Sequence, residues 1–315
     1  MAVSTTTTLG AVIPDEVIVA EMGAVHADRA NLMSLCNVQR GALNFTFNHL
    51  DALSASAVVE GAVLGAGAQT IFPIGTTITA APQECDPVQI TNLALRNQQV
   101  DFLGLGGNLG VALAERSNAL VTATFNTAFD GNIDVVNSTD GAGALQAFDM
   151  EAMDLAIQMA EGSSHAGAAY PGTVAMVLHP AQAAAIRSDI RTSGDYISRE
   201  DILAVNPALD ARGLLFGYYG VPVYVSARVF SGAETPAAGA GVELFTGITT
   251  AGGFLTAKQG AIFTVGNAIG YNEEQGPNIR SEATSLIGTG GLDLVAGMVA
   301  QAARVNPYLA ILQSA

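Results

Sequence analysis

The amino-acid sequence predicts an α+β chain, and three observations carry that prediction. Residues 49–87 are small, β-leaning and turn-rich, with no run able to build a core of its own. Residues 91–126 read as one long helix, with Gly104, Gly106, Gly107 and Gly110 close together on it. From about residue 242 onward the text is mostly strand.

Residues 1–48 open on a threonine run, pass through a short candidate helix started by Pro14-Asp15-Glu16, and then show no sustained period. That pattern predicts an arm. Residues 49–87 predict a long two-stranded hairpin that leans on something else for burial. On the long helix, Phe102, Leu105, Leu109, Leu113, Arg116 and Leu120 fall within an arc of about 80° at 100° per residue, and Gly106, Gly107 and Gly110 occupy the neighbouring arc. Each interior glycine costs a helix about 1 kcal/mol relative to alanine, so the bare stripe predicts a second backbone approaching closely. At 1.5 Å per residue the segment would run about 50 Å, the length of a structural spine.

After a Gly-, Asn- and Asp-rich loop at 130–143, elements alternate. The helix in "LQAFDMEAMDLAIQMAEG" puts Met150, Met153, Ile157 and Ala160 on one face, the strand "TVAMVL" follows, and His179-Pro180 turns the chain into the helix "AQAAAIRSDI". Strands in "LLFGYYGVPVYVSARV" and the β-rich remainder complete the order. No internal repeat or disordered linker separates these parts, so they are expected to interleave in space.

Charge narrows the function classes. With 28 acidic against 12 basic residues, a formal net charge of −16 and Lys258 as the single lysine, the chain is unsuited to binding nucleic acid through clustered cations. Half the residues are apolar and only 13% are charged, which predicts extensive burial against other subunits. No stretch reaches the roughly 18 uninterrupted apolar residues of a membrane span. The N-terminus has no basic leader, so synthesis in a cytoplasm is the default expectation. Cys36 and Cys85 are too few for a disulfide framework or a zinc ribbon and read as ordinary buried or half-buried thiols, with a bridge between them or across subunits as the alternative.

The chemical motifs fail on inspection. The dinucleotide pattern G-x-G-x-x-G is met at Gly104 and Gly106 but has Leu109 in third place, and no Gly-Lys-Ser/Thr exists for a phosphate loop. His26, His49, His165 and His179 form no H-x-x-x-H and no ligand spacing with a cysteine. "GSSHAG" at 162–167 is out of register for a nucleophile elbow, which leaves His165 a solvated loop residue and His179 a turn residue ending a strand. Glu273, Glu274 and Glu282 read as a solvated acidic face. No residue is nominated as catalytic, cofactor-binding or metal-ligating, and no cofactor is expected.

The element order, with the phrases "TTTTLGAVIPDEVIVAEM", "DPVQITNLALRNQQVD", "VAMVLHPAQAAAI", "GYYGVPVYVSARV" and "AARVNPYLAIL", resembles the major capsid proteins of tailed double-stranded DNA bacteriophages with the Hong Kong 97-like fold. The resemblance implies an N-terminal arm at 1–48, an extended loop at 49–87, a peripheral domain at 88–130 with 252–290 carrying the spine helix, and an axial domain at 131–251 with 291–315. It implies a non-enzymatic subunit that self-assembles into pentamers and hexamers of an icosahedral shell, located in the virion and assembled in the host cytoplasm. Implied partners are copies of itself, a separate scaffolding protein, a portal, a decoration protein and enclosed double-stranded DNA bound without sequence specificity, with no membrane. Some relatives weld a loop lysine to an asparagine. Residues 49–87 contain no lysine, so this shell is expected to lack that link. The alternatives are an encapsulin-like nanocompartment and a soluble α/β enzyme with a glycine-rich site.

Overall fold

The spine helix begins where its capping chemistry permits, and the rest of the architecture is built around it. In a computed structural model, which describes residues 6–49, 74–91, 101–127, 132–137, 146–162, 170–193, 214–226, 228, 241–244, 258–284 and 291–314, Asp101 is extended and its carboxylate accepts from Gly104 N at 3.0 Å. Helix α2 therefore runs Phe102–Ala123, shorter than the sequence suggested, because the true N-cap lies within the polar stretch that had looked helical. Helix α1 occupies Thr6–Arg29, also unlike the short segment expected. Its buried residues Ile18, Met22 and His26 recur every fourth position, a seam too narrow to produce a broad apolar period.

The two helices run in the same direction in close contact. A β-carbon placed on Gly106 would come 2.9 Å from Ile18 O, and one on Gly110 would come 2.7 Å from Met22 O. The glycine stripe thus admits the backbone of α1, as the sequence led one to expect, whereas Gly107 faces open space.

The described strands form three sheets. Strands β1 (Asn37–Arg40), β4 (Ala81–Glu84), β5 (Val88–Thr91), β12 (Ile269–Thr284) and β13 (Gly291–Arg304) make a five-stranded sheet in the order β1-β12-β13-β4, with β5 also on β13. Only β1 is parallel to its neighbour. The α1–α2 pair lies on this sheet, joined by Leu113, Tyr271 and Met298 in one continuous core.

The second sheet has seven strands: β6 (Asn132–Asn137), β7 (Val174–Leu178), β8 (Leu214–Tyr218), β9 (Val221–Val225), β10 (Gly241–Leu244), β11 (Lys258–Thr264) and β14 (Leu309–Ser314), in the order β10-β6-β14-β11-β7-β9-β8. Helices α3 (Met150–Gly162) and α4 (Pro180–Ser193) belong to it. Met153, Ile157 and Ala160 of α3 are buried as expected, while Met150 is half-buried at the helix start. The third sheet is the hairpin stem, β2 (Asn44–His49) with β3 (Ile74–Thr79), in antiparallel register from Asn44↔Thr79 to His49↔Ile74. Of the hairpin anticipated over 49–87, residues 50–73 lie outside the described residues, and Ala81–Glu84 pairs instead with β13 of the five-stranded sheet.

Besides the passage from β5 through α2 to β6, two short crossings connect the large sheets: β11 passes into β12 through 265–268, and β13 into β14 through 305–308. The turns lie side by side, with Val305 N donating to Ala268 O at 3.0 Å and Asn306 Nδ2 to Asn267 O at 2.6 Å. Arg304, buried at the end of β13, donates to the carbonyls of Asn306, Thr127, Pro307 and Leu309 at 2.7–3.1 Å.

Candidate assembly surfaces

The hairpin stem is the described feature least able to stand alone, because a two-stranded ribbon buries too little to be stable in water. Strand alternation gives it two faces. Phe47 and Ile78 pack with Val305 on one side, Phe45 lies edge-on to Phe47 with ring centroids 4.8 Å apart, and Gly270 leaves the space these side chains fill. Asn272, fully buried on β12, locks the base of the stem by donating from Nδ2 to Leu43 O at 3.2 Å and Ile78 O at 3.0 Å. The other face carries Asn44, Thr46, Asn48, Thr77 and Thr79, all exposed, with Thr46 and Thr77 hydroxyls 2.8 Å apart and Thr79 donating to Asn44 Oδ1 at 2.6 Å. The stem is thus fixed in direction at its root and presents an uncharged polar face outward.

At the far edge of the seven-stranded sheet, Tyr219 and Gly220 form the tight turn between β8 and β9 with φ of +46° and +81°. Tyr219 is 72% exposed and sits edge-on to Tyr218.

The titratable residues singled out by sequence take structural places. Cys36 and Cys85 are both free, and burial pushes both thiols up from their ordinary value, with Asp86 adding to the effect at Cys85. His49 ends β2, and His165 lies outside the described residues. Glu273 departs from the solvated reading. It is buried, and its Oε2 lies 2.8 Å from Arg40 Nε, because the parallel register sets Arg40 directly opposite Glu273. Glu274 is exposed, and the side chain of Glu282 lies outside the described residues. Among the described residues no group of three or more His, Cys, Asp or Glu could hold a metal ion, and no helix is long and apolar enough to cross a membrane.

His179 caps α4. Its Nδ1 accepts from Ala181 N at 3.1 Å, Pro180 fills the first helical position, and His179 N donates to Gln182 Oε1 at 3.1 Å. Gln182 Nε2 further donates to Lys258 O, Leu312 O and Ser314 Oγ, tying the helix start to β11 and β14. Burial, then the charge of Lys258, lowers the His179 pKa from 6.5. Only the neutral ring can accept from Ala181, so the cap is complete above the ordinary histidine value and is lost as pH falls through the lowered one. With exchange times scaled for the intrinsic pH effect, acidification is expected to lower the protection of the Ala181 amide by about 1 kcal/mol, the cost of a lost N-cap. His179→Asn, which caps without titrating in this range, is expected to abolish that pH dependence when followed by hydrogen exchange.

Sequence reasoning missed Arg304 and the contact of His26 with Ser117. A charged residue inside the apolar phrase "AARVNPYLAIL" was the available signal for the first; a lone histidine gave none for the second.

No curated protein sequence matches the chain. Among solved structures it is similar to the virus-like particle from Pyrococcus furiosus, at 11% identity over 96% of this chain and 100% of that one, with a TM-score of 0.57. It is similar to the capsid of Ralstonia phage GP4, at 10% identity over 88% of this chain and 84% of that one, TM-score 0.57. The capsid of cyanophage P-SCSP1u aligns at 14% identity over 90% and 88%, TM-score 0.55. At these identities the likeness establishes the fold, which is Hong Kong 97-like. Residues 87–308 match the family described as phage capsid protein, a span that runs from β5 to the second crossing, and on that match the chain belongs to the phage capsid protein family.

Proposed function

We propose that this chain is the major shell subunit of a tailed phage, assembling with copies of itself into pentamers and hexamers of a closed icosahedral capsid around double-stranded DNA. The observation that carries the reading is the hairpin stem: a two-stranded ribbon rooted on β12 by Asn272, with an outer face of neutral hydroxyls and amides. Such a ribbon gains burial by lying on a neighbouring subunit, and head-to-tail contacts of that kind close into rings and shells. Family membership supports the same reading.

In this assembly the five-stranded sheet with α1 and α2 forms the peripheral domain and the seven-stranded sheet with α3 and α4 the axial domain. This division departs from the boundaries expected from the sequence, 252–290 peripheral and 291–315 axial: strand pairing supports moving β13 to the first and β11 to the second. The acidic balance suits a wall that does not hold phosphates, with a separate scaffolding protein, a portal and a decoration protein as partners. The shell sits in the virion and forms in the host cytoplasm.

The shell is held without a lysine–asparagine weld from the extended loop, because the single lysine, Lys258, starts β11 in the seven-stranded sheet. Electron microscopy of the expressed protein is expected to show closed particles, and only monomers or dimers under every assembly condition would overturn the reading. Particles boiled in detergent are expected to run as single chains on a gel. A covalent ladder would contradict the absence of the weld. A second reading, a shell that houses cargo other than a genome, draws on the likeness to the Pyrococcus furiosus particle. Nucleic-acid content of purified particles separates the two.

A further inference from the structure

The contact that joins α1 to the rest of the molecule contains a buried polar cluster for which shell formation gives no reason. His26 of α1 is 3% exposed, and its Nε2 lies 2.8 Å from Ser117 Oγ of α2. Ser117 is fully buried, accepts from Tyr271 OH of β12 at 3.1 Å, and lies 3.5 Å from Met298 Sδ of β13. Four elements therefore meet at one hydroxyl. Ser117 has a single hydrogen and two acceptors to choose between, and a neutral imidazole nitrogen is much stronger than a thioether. Around the cluster stand the charged pair Arg40–Glu273, from β1 and β12, and the Cys36 thiol beside Tyr271.

We propose that His26, Ser117 and Tyr271 form an acid-sensitive latch that holds α1 against α2 and β12 when His26 is neutral and loosens it when His26 takes up a proton. In the neutral ring whose hydrogen sits on Nδ1, Nε2 accepts from Ser117; protonation turns Nε2 into a donor and forces the Ser117 hydrogen toward Met298 Sδ. It also places a cation in a buried site where the carboxylate that acts on it among the described residues, Glu273, is already bonded to Arg40. Burial lowers the His26 pKa from 6.5; Glu273 acts against that shift and Arg40 with it. A histidine with a lowered value in the docked state stabilises docking above its ordinary value. The stabilisation is lost as pH falls below about 6.5, by up to tenfold in the docking equilibrium per pH unit until the lowered value is reached. The remaining α1–α2 contact, through the glycine stripe, does not titrate.

Hydrogen exchange read by mass spectrometry on the full chain, in whatever assembled state it purifies, tests the latch independently of the shell reading. Exchange times are scaled for the intrinsic pH effect between about pH 7.5 and pH 5, the range a histidine covers. Peptides from α1 are expected to lose protection on acidification by up to tenfold per pH unit, while peptides from β12 and β13 keep theirs. His26→Gln, which can accept from Ser117 but does not titrate, is expected to hold α1 protection constant over the same range, with His26→Asn as the second choice if that variant does not fold. A wild-type α1 whose protection is independent of pH overturns the latch without any variant. So does an equal loss in His26→Gln, which would assign the effect to carboxylates instead.

Discussion

Gly110→Val is expected to separate α1 from the spine helix and leave the protein unable to reach its normal stability. The β-carbon alone would stand 2.7 Å from Met22 O and 2.9 Å from Val25 Cβ, and the first of these is backbone that cannot swing aside. Moving α1 outward exposes Ile18 and Met22, both fully buried, at about 1.5–3 kcal/mol for each side chain that returns to water. The gain in helix propensity on replacing glycine is at most about 1 kcal/mol, so the clash wins. Gly107→Ala separates propensity from packing, since Gly107 has nothing within 4 Å of the added carbon. It is expected to be neutral or to stabilise by up to about 1 kcal/mol. Thermal melting of the two variants beside the wild type, with hydrogen exchange over Thr6–Arg29, checks both. A Gly110→Val protein that melts like the wild type with α1 protected would show that the glycine stripe is not what admits α1.

That stripe was legible in the sequence because its signal is periodic: glycines at 106 and 110 beside leucines at 105, 109 and 113. The face of α3 was legible for the same reason, whereas the strands after residue 242 were legible from their β-leaning composition. What could not be read were features set by partners distant in sequence. Helix α1 hid because its seam is one residue wide and includes a histidine, which is apolar in effect only against Ser117, far along the chain. Glu273 looked solvated because acidic neighbours usually are, and only the register of β1 on β12 brings Arg40 across from it. The hairpin was legible as an element, but its paired strands begin at Asn44, earlier than the small-residue text suggested, because Phe45 and Phe47 belong to the stem's inner face. No catalytic or ligand-binding motif was readable in the sequence. The family reading rested on element order and phrases for that reason.

Arg304 is where a single substitution is expected to disturb both sheets at once. Its guanidinium reaches Asn306 O from Nε at 3.1 Å, Thr127 O from Nη1 at 3.1 Å, and Pro307 O and Leu309 O from Nη2 at 2.7 and 2.9 Å. These carbonyls belong to the β13–β14 crossing, to the first residue of β14 and to the segment leaving α2, so one planar side chain braces a place where the five-stranded sheet hands the chain to the seven-stranded one. Arg304→Ala leaves several inward-facing carbonyls without their donor. Each buried polar group so orphaned costs about 1–3 kcal/mol, and removing a buried charged hub typically costs on the order of 3–5 kcal/mol in all. Against a typical stability of about 5–15 kcal/mol, that is expected to remove most of the soluble, folded protein on expression. Arg304→Lys keeps the charge but offers one tetrahedral head in place of a planar fork, so it can satisfy part of the set and is expected to fall between. Soluble yield and far-ultraviolet circular dichroism melting of the three proteins give the ordering. If Arg304→Ala melts with the wild type, the crossing is held by Asn306 and its neighbours alone. If lysine equals arginine, charge rather than the fork geometry is what the junction requires.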